Sequence, residues 1–317
     1  MKILIAGAGA VGGMVGACLT ENGRDVTFLV RPARAEQLRE HGLRITDGRS
    51  TRTVRPDVAT ADQLTAPYDL VLLAVKADAL PQVMDDIAPA VGADTVVMPF
   101  LNGMRHVDAL TGRFGTAVIG GVIRVAVQLD DHGTIVRLAP AIEIETGELD
   151  GSGSARLDRV VEAFAVPGIE VRGRNDIIDA MWAKWVFIAA IGAVTSLMRA
   201  PVGDIVAVPG GTAFAEGVLV EAAAVARAAG HPVAEQDLAG TRSTLTATGS
   251  PMTSSMSRDL AEGRHTEVDS VLGDLCDRAR VLGVATPLTD LAVLALRVHN
   301  RRVLQAAGEG AGHSDGS

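Results

Sequence analysis

Aromatic residues are scarce in this chain: six Phe, two Trp and a single Tyr among 317 positions. That is too few for the stacking platforms on which single-stranded nucleic acids are bound. Basic charge is also in deficit. Lys and Arg number 29 against 38 Asp and Glu, a net charge of −9, so no basic face is expected for a phosphate backbone and no nucleic-acid partner. Only two cysteines occur, Cys18 and Cys276, each within an apolar helical pattern. They read as reduced core thiols of a cytoplasmic protein rather than a disulfide framework. The seven histidines are scattered without paired ligand spacing, so no metal site is expected.

Long apolar runs are lacking too. The stretch Trp185–Met198 falls short of a bilayer span and carries Gly192, Thr195 and Ser196. Met1 and Lys2 precede apolar residues as in a secretory signal, but glycines 7, 9, 12, 13 and 16 would interrupt its hydrophobic region. The expectation is a protein neither exported nor inserted in a membrane, acting in the cytoplasm.

What the chain does have is 48% hydrophobic residues and length enough for two domains. The first half alternates short β-branched runs (Lys2–Ala6, Asp25–Val30, Asp69–Val75, Thr95–Phe100, Ala117–Gly121) with helical patterns such as Gly12–Asn22 and Ala79–Ala90. Strands alternating with helices predict βαβ units, an α/β fold with a Rossmann-type doubly wound parallel sheet. Val122–Gln128, Thr134–Leu138 and Ala141–Glu145 then read as a β-meander, followed by a helix near Gly153–Phe164 and a strand near Ile169–Val171. Beyond Asn175 strand signals vanish. Asp176–Met198, Gly211–Ala229, Gln236–Thr246, Glu267–Leu282 and Leu288–Gln305 all read as helices, with Gly230 and Gly283 at C-cap positions. The predicted organisation is a nucleotide-binding domain over residues 1–175, an all-helical C-terminal domain over 176–305, and a disordered Gly- and Ser-rich tail over 306–317. The alanine-rich face of 211–229 suits either a homodimer interface or close packing within the chain.

Chemistry concentrates in a few places. Gly7-Ala8-Gly9-Ala10-Val11-Gly12 is a G-x-G-x-x-G directly after a strand and opening a helix. The first glycine permits the turn, the second lets backbone approach a pyrophosphate, and the third lets helix pack on strand. The helix N-terminus then offers free N–H groups to the anion. The second strand ends in Arg31, with Arg34 near, and carries no carboxylate at its tip. A carboxylate there would bind the ribose 2′-hydroxyl of NAD, whereas a guanidinium suits a 2′-phosphate; the cofactor expected is NADPH.

Lys184 is the only charged residue between Ala180 and Met198. Apolar surroundings disfavour the charged form of a lysine, which would make it a proton donor to a reduced carbonyl. The alternative is a lysine whose stem packs on Trp182 and Trp185 while its head reaches water. Glu267, in Arg264-His-Thr-Glu-Val-Asp269, is a second candidate, although Thr266 as N-cap with Asp269 at the third position would be ordinary helix chemistry. Lys76 and Asn102 follow strands at the carboxyl edge of the sheet, where ligands bind in open α/β folds.

In order along the chain, Gly7–Gly12, Arg31, Lys76, Asn102-Gly103-Met104, Trp182-Ala-Lys184, Thr253-Ser-Ser255-Met256 with Arg258-Asp259, and His265-Thr-Glu267-Val-Asp269 resemble the ketopantoate reductases (2-dehydropantoate 2-reductases). The resemblance spans the whole chain. It implies reduction of the 2-ketone of 2-dehydropantoate to pantoate, on the way to pantothenate and coenzyme A. Arg31 would hold the 2′-phosphate, and Lys76 and Asn102 would lie by the cofactor and reaction centre. Lys184 would be the general acid, Glu267 would orient substrate, and Ser255 would help hold its carboxylate. One departure stands out. The family carries asparagines one and two turns after the lysine, where this chain has Ile188 and Gly192. That implies a more apolar, roomier pocket, and a different 2-oxo acid, ketone or imine as the alternative substrate. An NADPH-binding sensor without catalysis is a third reading, which retention of Lys184 and Glu267 disfavours.

Overall fold

The computed structural model describes residues 1–312. Ten strands form in chain order: β1 (Lys2–Ala6), β2 (Asp25–Leu29), β3 (Leu43–Thr46), β4 (Thr51–Val54), β5 (Asp57–Ala59), β6 (Leu70–Leu73), β7 (Val96–Pro99), β8 (Ile119–Leu129), β9 (Ile135–Glu148) and β10 (Glu170–Gly173). The helices are α1 (Ala10–Glu21), α2 (Pro32–His41), α3 (Leu80–Asp86), α4 (Arg105–Phe114), α5 (Ala155–Phe164), α6 (Ile177–Met198), α7 (Val202–Val206), α8 (Gly211–Ala228), α9 (Glu235–Leu245), α10 (Ser255–Ala261), α11 (Asp274–Leu282) and α12 (Pro287–Gly312). A π-helical stretch, Asp269–Gly273, runs directly into α11.

Two compact units result. One comprises Met1–Leu101 and His106–Ala180; the other comprises Asn102–Arg105 and the chain from Met181 onward. The change from one to the other falls inside α6 rather than at the Arg172–Asn175 loop. Its first turn belongs with the sheets: Ile177 fills the space that a Cβ on Gly120 or Gly147 would occupy.

In the first unit, β5-β2-β1-β6-β7 form a five-stranded sheet, parallel throughout. Ile3, Leu4 and Ile5 are fully buried, as expected of a central strand covered on both faces. This is the doubly wound sheet the alternating pattern predicts. A second, mixed sheet is built on the long β8–β9 hairpin, joined by β10, β3 and β4. Here the expected strand Ala117–Gly121 and three-strand meander give way to two long strands. Gly120 and Gly121 do not break β8; a Cβ at Gly121 would lie 2.6 Å from the Pro99 carbonyl, so the glycine marks a close backbone approach. Pro140 sits where the β8–β9 register shifts, in a segment of β9 left out of the ladder.

The second unit is helical. α6 lies at its centre, with Trp185, Val186, Ala189, Ala190, Ala193 and Val194 almost wholly buried. By length and composition, α6 is the one helix among the described residues able to cross a membrane, with mean hydropathy 1.7 over its most apolar window. The stretch read from sequence as too short is therefore only part of a 22-residue helix. Two-thirds of that window is packed inside the fold (67%). The alanine-rich face of α8 is buried within its own unit through Ala215, Ala222 and Ala226. The carboxylate of Glu221, on the same helix, accepts the backbone N–H groups of Leu288 and Thr289, both at 2.9 Å, and so caps α12. Gly230 and Gly283 adopt positive φ at helix ends, as expected. α12 continues past Gln305 to Gly312, where the sequence predicts a disordered tail from Ala306; the rest of that expected tail, residues 313–317, lies outside the described residues. Cys18 and Cys276 are both free and buried.

Candidate active site

In the first unit the glycine segment follows β1 and starts α1. Gly7 has φ +103°, and a Cβ there would lie 2.7 Å from the Ala74 carbonyl oxygen. A Cβ on Gly12 would come within 2.2 Å of the Gly7 carbonyl oxygen. Around Gly9 the space is open, with nothing within 4 Å of the position a Cβ would take. The loop is thus packed tightly on the end of β6 and bare on one side, with the unpaired amides of the α1 first turn beginning at its N-cap, Gly9. Such a cradle fits a pyrophosphate.

Arg31 follows β2, is exposed, and is the N-cap residue of α2. Arg34, one turn on, reaches back over the loop. Its guanidinium donates to the Ala8 carbonyl at 3.3 Å and to Gln37 Oε1 at 2.6 Å. Burial pushes its pKa below the usual arginine value. The sequence indicates only that Arg34 is near; its grip on Ala8 links positions 26 residues apart and leaves no local signal. Lys76 is exposed just beyond β6 and opens a 3₁₀ turn, Ala77–Ala79. The glycine loop, Arg31 and Lys76 therefore sit at the carboxyl ends of three neighbouring strands, β1, β2 and β6.

The remaining candidates lie in the second unit. Asn102 is half-buried in the loop after β7. Its neighbour Gly103 has φ +82°, and a Cβ there would meet the Ser270 carbonyl oxygen at 2.4 Å. Arg105 completes the attachment, with its guanidinium 3.4 Å from Asp274 and 3.1 Å from Asp277. This loop thereby lies against the π-helical stretch at Ser270 and is fastened to α11, an arrangement with no counterpart in the sequence pattern.

Lys184 is half-buried on α6. At helical spacing Lys184, Ile188, Gly192 and Thr195 share one stripe. Each end of that stripe is tied to another candidate segment. The indole of Trp185 donates to the Val271 carbonyl at 2.8 Å. Thr195 Oγ1 lies 3.0 Å from Ser254 Oγ and accepts from the Ser254 N–H at 3.3 Å. Ser254 in turn is the N-cap of α10, accepting from the Ser257 N–H at 2.9 Å. Ser255, the first residue of α10, is exposed. Between the ends of the stripe, a Cβ at Gly192 would meet only the Met256 methyl, at 3.3 Å.

Glu267 is half-buried, two residues before the π-helical stretch begins at Asp269. Thr266 does not cap the helix as the sequence suggests. Its hydroxyl and N–H both donate to Asn300 Oδ1, at 3.0 and 2.8 Å, and Asp269 instead accepts from Arg297 at 2.7 Å. A groove of about 450 Å³ lies along His265, Asp269, Arg297 and Arg301, and holds none of Lys184, Ser255 or Glu267 in its lining.

Comparison with known proteins gives a consistent answer across the chain. Residues 3–151 match the family profile "Ketopantoate reductase PanE/ApbA", and residues 176–300 match "Ketopantoate reductase PanE/ApbA C terminal". The uncharacterized oxidoreductase YkpB of Bacillus subtilis is 35% identical over 300 residues, 94% of this chain and 99% of that protein. A 2-dehydropantoate 2-reductase of Mesorhizobium japonicum is 32% identical over 322 residues, 93% and 96% of the two chains. Among solved structures, D-mandelate dehydrogenase with NADH and anilino(oxo)acetate superposes with a TM-score of 0.87 at 22% identity, over 96% of this chain and 99% of that one. At that identity the likeness is one of fold.

Proposed function

This chain belongs to the ketopantoate reductase family of oxidoreductases, and from that premise we propose that it reduces the ketone of a 2-oxo acid, 2-dehydropantoate first among them, with NADPH. The observation that carries the reading is the Lys184 stripe of α6, tied at Trp185 to the segment after Glu267 and at Thr195 to the start of α10. The residues assigned to substrate thus stand on elements fastened to one helix.

The cradle at Gly7–Gly12 would hold the cofactor pyrophosphate on the α1 amides, and Arg31 would pair with the 2′-phosphate. Lys76 and Asn102 would flank the nicotinamide side. Bound NADPH supplies the hydride that reduces the carbonyl carbon. As that carbon is reduced, negative charge gathers on the ketone oxygen. The Lys184 ammonium donates a proton there, leaving a 2-hydroxy acid, and the neutral amine regains its proton from solvent. Glu267 accepts a hydrogen bond from a substrate hydroxyl, and Ser255 donates to the substrate carboxylate. The proposed setting is the cytoplasm, with a small keto acid as the partner.

A second substrate reading rests on Ile188, Gly192 and Met256. The face beyond Lys184 presents an isoleucine, a glycine and a methionine methyl where the family resemblance leads one to expect amides. A site without those amides gains little from a substrate hydroxyl and favours an apolar substituent. The fold it shares with a D-mandelate dehydrogenase is compatible with this.

The deciding experiment follows NADPH absorbance with 2-dehydropantoate and with 2-oxo acids bearing branched or aryl side chains, for wild type and Lys184→Ala. Turnover of 2-dehydropantoate that the substitution abolishes supports the first reading. Turnover confined to the apolar 2-oxo acids supports the second. NADPH binding without turnover of any carbonyl compound sinks both.

A further inference from the structure

We propose that Asn300 is a positioning residue that sets the placement of Glu267; the inference rests on the role given to Glu267 above. Asn300 and Thr266 are 5% and 1% exposed, so their polar groups must satisfy one another. They do so in both directions. Asn300 Oδ1 accepts the Thr266 N–H at 2.8 Å and its hydroxyl at 3.0 Å, while Asn300 Nδ2 donates to the Thr266 carbonyl at 2.9 Å. Only a primary amide offers an acceptor and a donor side by side on so short a side chain. The peptide groups on both sides of the Thr266 Cα are therefore held by a single residue, and the next Cα is that of Glu267.

A second anchor acts from the same helix. Arg297, one turn before Asn300 on α12, donates through Nε and its terminal nitrogen to Asp269 Oδ1, at 2.7 and 2.6 Å. Glu267 lies between the two clamped positions, 266 and 269. Its carbonyl is occupied too, by the Ser270 hydroxyl at 3.1 Å and the Val271 N–H at 3.2 Å.

Mere stabilisation of a helix start needs none of this. Thr266 carries a hydroxyl suited to capping the amides that follow it, with an acidic residue three positions on. The chain instead commits that hydroxyl to a residue 34 positions away, and gives the Asp269 carboxylate to Arg297. A local cap satisfies a donor; a clamp on both peptide groups also fixes direction. Reaction rates respond to direction, since displacement of a substrate-contacting group by about 1 Å can lower turnover about a hundredfold.

The test is a double-mutant cycle on the full chain with NADPH and the best 2-oxo acid substrate. Asn300→Ala is expected to lower kcat/KM by about tenfold to a hundredfold, with the KM for NADPH changed by less than about twofold. In a Glu267→Ala background the same substitution is expected to produce almost no further loss. Asn300→Ser, which cannot grip both peptide groups, repeats the cycle with a milder change should the alanine variant fold poorly. Losses that multiply in the double variant, or wild-type kinetics in a folded Asn300→Ser protein, overturn the inference. Wild-type protein that turns over no 2-oxo acid overturns the functional reading, and this inference with it.

Discussion

The indole N–H of Trp185 donates to the Val271 carbonyl at 2.8 Å, so the turn of α6 that carries Lys184 is fastened to the helical segment that Glu267 precedes. Trp185 is 1% exposed, so bulk solvent does not reach this bond. Trp185→Phe keeps most of the packing but leaves a buried carbonyl without its donor. Chemical denaturation should show a loss of about 1–3 kcal/mol. If Trp185 also aligns the two candidate residues, kcat/KM should fall in the folded variant as well.

Lys184→Ala should lower kcat by about a hundredfold or more, the range of general acid catalysis, while leaving NADPH binding intact. Stopped-flow binding and steady-state turnover separate the two. Unchanged turnover would remove Lys184 from the chemistry and leave it as a snorkelling side chain.

Arg31→Ala tests the cofactor. A charge-assisted contact to the 2′-phosphate is worth about 1.5–3 kcal/mol, or roughly a tenfold to hundredfold rise in the Kd for NADPH. The Kd for NADH, which lacks that phosphate, should stay constant. A parallel rise for both would mean that Arg31 acts on the loop and not on the phosphate.

Ile188→Asn with Gly192→Asn should shift preference among 2-oxo acids towards those with a hydroxyl. At position 192 a Cβ meets only the Met256 methyl at 3.3 Å, the flexible end of that side chain, so the backbone leaves room for a side chain to start there. The ratio of kcat/KM for hydroxylated and apolar substrates is the readout; a ratio left unchanged would show that this face does not touch substrate.

Stability should fall in acid through two carboxylates of the first unit. Hydrogen bonding from Arg156, with Nε 2.7 Å from Glu148 Oε1, holds Glu148 below the ordinary glutamate value of 4.5. Burial of Glu145 acts in the opposite sense, but Arg124 and Arg174 outweigh it and its pKa is also lowered. Groups with depressed folded pKa stabilise the fold above their unfolded value, and that stabilisation is lost as pH falls through the folded one. Melting temperature should therefore be flat above about pH 5 and drop below the unfolded glutamate range. Glu148→Gln should lower the plateau and shrink the drop.

The parts of the fold legible in sequence are those where one residue's pattern is its neighbours' pattern. β1, with Ile3, Leu4 and Ile5 buried on both faces, can be little else than a central strand. The β3–β4 hairpin escapes because β3 offers only two apolar positions, Leu43 and Ile45, and Thr51, Arg52 and Thr53 of β4 are exposed and supply no apolar alternation. Along β8 and β9 the sequence pattern places strand ends at Gly121 and Leu138, whereas Gly121 admits the neighbouring Pro99 carbonyl and Leu138 is followed by a register shift that takes up Pro140. Lys184 is visible as a lone charge in an apolar helix. Asn300 is not, since its partner is 34 residues away and nothing near it in sequence differs from an ordinary surface turn of helix.

The dependence of residues 266–269 on α12 also orders events in the making of the protein. Every strand and helix through α11 can emerge during translation with Thr266 still lacking its clamp, because Arg297 and Asn300 lie on α12, which follows them all in the chain. The placement of Glu267 is thus completed only once α12 has been made, and a nascent or truncated chain ending before residue 297 would carry Glu267 without the two anchors at residues 266 and 269.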